Sequence, residues 1–246
     1  MTHGLNIQKH FRPAIRIVVI LLLLLSISPV RDTAQAQDGE ALMVMHLEKK
    51  EGSITKTVAQ NTVFRTGDIL RFRLTSKVAG YLYVLDQGTT GTTTTLFPIA
   101  SAATANNSIA ANLNTLVPAT GDGWFEVSGP SGFDVIYILV SATPMALPAA
   151  APQPATQAPA SEAPLPHGLI PRCDDTIFKA RGDCVDSSAG VAPLSPKAPL
   201  PRELSPLAKT AARDIILTDD GDGTAVKPGL SAKLPLIYTF RLAHLQ

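Results

Sequence analysis

The chain has few aromatic residues and few cysteines. Phe, Tyr and Trp make up 5% of it, Trp124 is the only tryptophan, and Cys173 and Cys184 are the only cysteines. A core must therefore rest mainly on Leu, Ile and Val. Catalytic signatures are also lacking. No G-x-S-x-G elbow occurs, since Ser131 is followed by Gly132 and then Phe133. There is no H-E-x-x-H and no glycine loop of the phosphate-cradling kind. Asp174 and Asp175 are adjacent, which in an extended chain points them to opposite sides and makes them a poor acid/base pair. These absences lower the odds of an enzyme without removing them, because a fold can gather distant residues.

The N-terminus carries the longest apolar run. Lys9, Arg12 and Arg16 precede the run Ile17 to Leu25, Pro29 breaks it, and Ala34-Gln35-Ala36 supplies a small-x-small pattern. That order predicts a secretory signal peptide over residues 1–36, cleaved between Ala36 and Gln37. The rival is an uncleaved anchor, but a spanning helix needs about 20 apolar residues, and this run is well short of that. With no cysteine directly after the run, lipid attachment at a new N-terminal cysteine is excluded. Residues 1–36 hold four basic side chains (Lys9, Arg12, Arg16, Arg31) and one acidic (Asp32), so removing them takes the 21 basic and 20 acidic residues to 17 and 19. No basic block survives, which argues against nucleic acid as a partner. Nor does a stable membrane span remain after cleavage. The expected location is periplasmic or extracellular.

In an oxidising compartment a close, even pair of cysteines reads as a disulfide, here Cys173–Cys184 within CDDTIFKARGDC. A redox pair would want C-x-x-C, and a zinc site would want two further ligands nearby; only His167 is close.

From Ala41 the chain reads as strands and turns. In DILRFRLTS, Leu70, Phe72 and Leu74 face one way and Arg71 and Arg73 the other, the mark of a half-buried antiparallel strand. YLYVLD is apolar on both faces and reads as more central. Gly88 to Gly91 connects it to TTTTLFP, with Tyr81, Tyr83, Leu96 and Phe97 as packing groups. The threonines suit a solvated strand face. Such a row can also bind ordered water or sugar hydroxyls. Trp124, Phe125 and Val127 begin a further strand, Gly129 to Gly132 is a turn, and Phe133 to Val140 reads as a fully buried strand. Seven or eight short strands before Pro144, with no helical period, predict an all-β fold, mainly an antiparallel β-sandwich, over residues 41–145. Residues 146–166 form a proline- and alanine-rich linker, and 167–200 a region closed by the disulfide. Over 201–246, LSPLAKTAARD is assigned a short helix, and IILTDD and LPLIYTFRLAHL are strands that rejoin the β domain, since two strands cannot bury a core alone. In the last, Leu236, Tyr238, Phe240 and Leu242 share a face.

These residues support a family resemblance. Gly67-Asp68, Gly80 to Val84 (GYLYV), Leu96 to Pro98 (LFP) and Gly129 to Gly132 (GPSG) occur in the order seen in the bacterial domain-of-unknown-function family 4384, which the chain resembles over about residues 60–145. The cysteine segment and the final strands look like those of members exported as a single domain. The resemblance implies no established activity and supplies no site residues. Domains of that family are appended to signalling or protease-like domains, or exported alone. With no such partner domain present, the resemblance implies a non-catalytic module.

Two short strings invite chemistry. Asp219-Asp220-Gly221-Asp222-Gly223 resembles part of a calcium loop. Counted from Asp220, however, the sixth and twelfth positions are Ala225 and Ser231, where glycine and glutamate are needed, so an acidic turn is the better reading. Arg181-Gly182-Asp183 spells an adhesion tripeptide inside the cysteine loop, a weak three-residue match. No catalytic, cofactor-binding or metal residue is therefore assigned. The expected role is an exported, non-enzymatic module that binds an envelope protein or a surface polysaccharide. The alternatives are a secreted hydrolase acting on cell-wall or extracellular polymer, using one of His46, His167 or His244, and an adhesin using the loop at Arg181.

Overall fold

A computed structural model of the chain describes residues 41–98, 106–119, 123–147, 170–174, 184–221, 223–229 and 233–246. The signal cleavage residues Ala34, Ala36 and Gln37, most of the 146–166 linker, His167 and Arg181 to Asp183 lie outside them.

Fourteen strands are assigned among these residues: β1 (Met43–Glu51), β2 (Ile54–Val58), β3 (Val63–Arg65), β4 (Ile69–Ser76), β5 (Gly80–Gln87), β6 (Thr93–Phe97), β7 (Ser108–Ile109), β8 (Asn114–Val117), β9 (Phe125–Glu126), β10 (Gly132–Ser141), β11 (Gly190–Ala192), β12 (Ile215–Asp219), β13 (Thr224–Pro228) and β14 (Leu236–Leu245). They form two sheets. The first runs β12-β13-β1-β4-β8, with β2 also on β1 and β9 also on β4. The second runs β11-β14-β10-β5-β6, with β3 also on β14 and β7 also on β5. Every pairing is antiparallel except that of β3 with β14. The fold is a mainly antiparallel β-sandwich.

Alternation decides which residues meet between the sheets. Leu70, Phe72 and Leu74 of β4 are buried while Ile69, Arg71 and Arg73 are half-exposed. They join Met43, Met45 and Leu47 of β1 and, from the second sheet, Leu82, Val84, Ile136, Ile138, Tyr238 and Phe240 in one apolar core. Phe72 meets Phe240 edge to face at 5.1 Å between ring centroids, a favourable geometry for aromatic quadrupoles. Burying these side chains is the main force closing the sandwich.

The second sheet is covered on its other face too. Tyr83, Leu85, Tyr137, Leu139 and Ile237 pack there against Leu194, Leu204 and Leu207. This explains why YLYVLD is apolar in both directions. The proline-rich stretch after β11 is thus a cover for a second core. Arg213 fastens it. Its Nη1 donates to the carbonyls of Ser195 (2.8 Å), Pro196 (3.1 Å) and Ala198 (3.2 Å), and Nη2 to that of Ala208 (3.3 Å).

The helical segment differs from the sequence expectation. It is a 3₁₀ helix at Arg202–Leu207 and ends before most of LSPLAKTAARD. Pro206 lies inside it and has no N–H to donate, and Ala212 is drawn into a bridge with Leu236, so an α-helix cannot run on. The strand count also differs: ten strands precede Pro144. The extra ones are β3 and β7, of three and two residues, too short to show a period; the strand expected from Trp124 is present as β9. Nor is Phe133 to Val140 buried throughout. Phe133, Asp134 and Val135 are half-exposed at the end where the core gives way to polar side chains.

The C-terminal strands lie in both sheets. β13 pairs with β1, and β14 is central in the second sheet, paired with β10 along nine positions from Gly132↔His244 to Val140↔Leu236. Gly80 opens β5 where it approaches the end of β10. A Cβ there would lie 2.5 Å from the Ser141 carbonyl oxygen, a rigid backbone atom. Gly80→Ala therefore forces the strands apart, and a loss of about 2 kcal/mol or more is expected in urea unfolding; unchanged stability would contradict this packing.

Candidate ligand-binding site

Three neighbouring strands each carry an apolar row into the main core, and each row ends in a polar residue at the same end of the sandwich. On β5 the row is Leu82, Val84, then Asp86; on β10 it is Val140, Ile138, Ile136, then Asp134; on β14 it is Tyr238, Phe240, Leu242, then His244. The register places Asp86 opposite Ile136, and Asp134 opposite Leu242, so Asp86, Asp134 and His244 are diagonal neighbours across the sheet. Thr94 of β6 lies opposite Asp86 on the other side.

His244 is fully buried. Its Nε2 lies 3.4 Å from Asp134 Oδ1, and its Nδ1 has no hydrogen-bond partner. Asp134 Oδ1 also accepts the Thr89 N–H at 2.8 Å. Asp86 Oδ1 is buried with no partner. Burial, and secondarily the nearby Asp134 carboxylate, push the Asp86 carboxyl up to about 7, with His244 pulling the other way. A buried carboxylate and imidazole atom left without partners are costly and uncommon. Such groups cluster at functional sites.

A cavity of about 220 Å³ opens onto Asp86 and Asp134, with His244 behind them. Its walls are Asp86 and Asp134; the hydroxyls of Thr89, Thr90, Thr92, Thr94 and Ser128; Glu126; and an apolar part that includes Phe125, Val127, Ile136 and Leu242. Its rim is the loop between β5 and β6 and the turn before β10. Gly88 N–H donates to Thr92 O, Gly91 N–H donates to Gly88 O, and Gly91 has φ 81°, a left-handed conformation that suits glycine. Thr89 Oγ1 donates to Pro130 O and links loop to turn.

A second polar cluster sits on the face of the first sheet turned away from the core. Glu48 receives Arg71 Nε at 2.6 Å and Arg73 Nε at 2.7 Å, and the Arg71 guanidinium stacks 4.1 Å from the Trp124 ring centroid. Burial by itself raises the Glu48 carboxyl, but the hydrogen bonds from Arg73 and Arg71 outweigh it and hold the group below its ordinary value. Each charge there has a partner, and the cluster reads as a brace between β1 and β4.

Of the histidines weighed from sequence, His46 and His244 are not brought together, being on β1 of the first sheet and β14 of the second, and His167 lies outside the described residues. The described residues of the acidic string, Asp219 to Gly221 and Gly223, connect β12 to β13 as a turn. Asp219 Oδ1 accepts the Gly221 N–H and Asp220 N–H donates to Gly223 O. Among the described residues no group of three or more His, Cys, Asp or Glu is arranged to hold a metal ion, and no helix is long and apolar enough to cross a membrane.

Cys173 and Cys184 form a disulfide, with Cα atoms 4.9 Å apart. Its base is tied to the sheet: Val63 N–H donates to Cys184 O, Asp174 N–H to Val185 O and Asp186 N–H to Asn61 O. Replacing both cysteines by serine is expected to lower stability by about 3 kcal/mol, the chain-entropy value for so short a closed loop, measured by denaturant unfolding with and without reductant. Equal stability of the reduced and oxidised protein would refute it.

An all-β sandwich with a polar pocket between the ends of its sheets is the class these features define. Residues 63–144, about a third of the chain, match the family described as Domain of unknown function (DUF4384). The match runs from β3 to β10 and includes Asp86, Asp134 and the threonine loop, while His244 falls outside it. No curated protein and no solved structure matches the chain.

Proposed function

We propose that the chain is an exported, non-enzymatic binding module of the bacterial envelope or exterior, and that it engages an envelope protein or a surface polymer through the pocket beneath the threonine loop. The observation that carries this reading is the partnerless, buried Asp86 Oδ1 at the base of a cavity whose wall is a row of hydroxyls. A ligand group that donates hydrogen bonds would satisfy it. The disulfide supports an oxidising, exported setting.

The test is crosslinking in intact cells with a tagged full-length chain, in parallel with Asp86→Asn. Capture of one recurrent protein or polymer that depends on Asp86 supports the reading. Capture that is indifferent to Asp86 removes the pocket from it.

One observation favours a hydrolase instead, the contact of the buried His244 with Asp134, which lines the pocket. A base–orienter pair of this kind serves nucleophilic catalysis when a nucleophile lies within reach. Turnover of any ester, peptide or glycan substrate that is abolished by His244→Asn would overturn the binding-module reading.

A further inference from the structure

The pocket's chemistry narrows its ligand. Three carboxylates line or approach it, Asp86 from β5, Asp134 from β10 and Glu126 from β9, and no lining residue among those described is basic. The one imidazole, His244 on β14, sits behind Asp134 and is fully buried. Its partnerless Nδ1 and the partnerless Asp86 Oδ1 are independent signs that the polar end of the core is incomplete as it stands. The hydroxyls of Thr89, Thr90, Thr92, Thr94 and Ser128 form one side, and Phe125, Val127 and Leu242 contribute to the apolar part. A cation alone would need the carboxylates but not the hydroxyls and the apolar surface. A neutral sugar would need the hydroxyls but would leave the carboxylates uncompensated.

Resting on the binding reading above, we infer that the pocket takes an amino sugar with a free, non-acetylated amine. The ammonium is held by Asp86 and Asp134, the ring hydroxyls by the threonine row, and the C–H face of the ring by the apolar part. A volume of about 220 Å³ equals roughly seven waters at liquid density, which is monosaccharide scale. Occupation would ionise Asp86, because an ammonium beside a carboxylate favours the charged form. Binding should therefore strengthen as pH rises from about 6 towards 7, and weaken again above that as the sugar amine, made less basic than an alkylamine by its neighbouring C–O bonds, loses its proton.

The test is a titration of the purified protein with glucosamine, followed by backbone amide NMR, with glucose, N-acetylglucosamine and the amide of N-acetyl-lysine in parallel. Glucosamine is expected to shift the amide signals of Gly88 to Gly91 and Asp134. The two uncharged sugars should bind about tenfold more weakly or worse, the scale of one charge-assisted hydrogen bond. Asp86→Asn should lose the preference for glucosamine while keeping the fold. Equal binding of glucose or N-acetylglucosamine would overturn the ammonium part and leave a sugar-binding module. Equal binding of the lysine amide would overturn the sugar part and point to a protein ligand. No response to any probe, with Asp86-dependent capture intact in cells, overturns this inference alone; no response and no such capture overturn the binding reading with it.

Discussion

Replacing Asp86 with asparagine is expected to stabilise the protein at alkaline pH and to leave it nearly unchanged at about pH 4. The Asp86 carboxyl titrates near 7 in the fold because it is buried beside Asp134, against an ordinary value of 3.8. Between those values the folded state holds a proton that the unfolded state has released. Stability contributed by this group therefore falls as pH rises from about 4 to about 7, and levels off above that. The full difference is on the order of 4 kcal/mol. Asparagine resembles the neutral acid in shape and cannot ionise, so the loss disappears. Thermal unfolding at about pH 8 should show a rise in Tm of about 5 °C or more, and the two proteins should converge at about pH 4. Parallel curves for the two proteins across that range would mean that Asp86 is not held in its neutral form. Glu48 works in the opposite sense. Its carboxyl is held below its ordinary value, so its contribution is present at neutral pH and is lost as pH falls below about 4.5. The two windows overlap only near pH 4, and Glu48 is the same in both proteins, so the difference between them reports Asp86 by itself.

Replacing Arg213 with methionine is expected to release the cover of the second core. Methionine keeps the unbranched stem, so the main loss is polar. The guanidinium donates to four carbonyls, of Ser195, Pro196, Ala198 and Ala208, and is itself buried. Hydrogen bonds to a charged group contribute about 1.5–3 kcal/mol each, not additively. A total loss of about 3 kcal/mol or more is expected. It should be local before it is global: Leu194, Leu204 and Leu207 would leave the face of Tyr83, Tyr137 and Ile237. Limited proteolysis of Arg213→Met should cut within residues 193–211 while the two sheets persist. Protection equal to that of the native protein would show that apolar packing alone holds the segment.

Parts of this fold are legible from residues alone. The alternation of DILRFRLTS is plain because one face meets the core and the other meets Glu48 and solvent. The two-faced apolar run of YLYVLD predicts a central strand, and β5 has neighbours on both sides and cores on both faces. The 3₁₀ helix is less legible because Pro206 and a tertiary bridge limit it, against the propensity of LAKTAAR. The role of Arg213 is invisible, since its four acceptors are backbone groups that carry no sequence signal.

The candidate site was half legible. Its threonine loop could be read as a surface able to meet sugar hydroxyls, and Asp86, Asp134 and His244 each end an apolar row that the sequence displays. Local sequence determined that Asp86, Asp134 and His244 would face inward, because side chains alternate along a strand and each of these continues a buried row. Only the tertiary structure decided that they meet. Asp134 and His244 are 110 positions apart, and it is the long-range register of β14 on β10, and of β10 on β5, that aligns the polar ends of the rows at one end of the sandwich. A shift of one residue in either pairing would turn a whole row to the other face, so the pocket exists by virtue of the same register that closes the core.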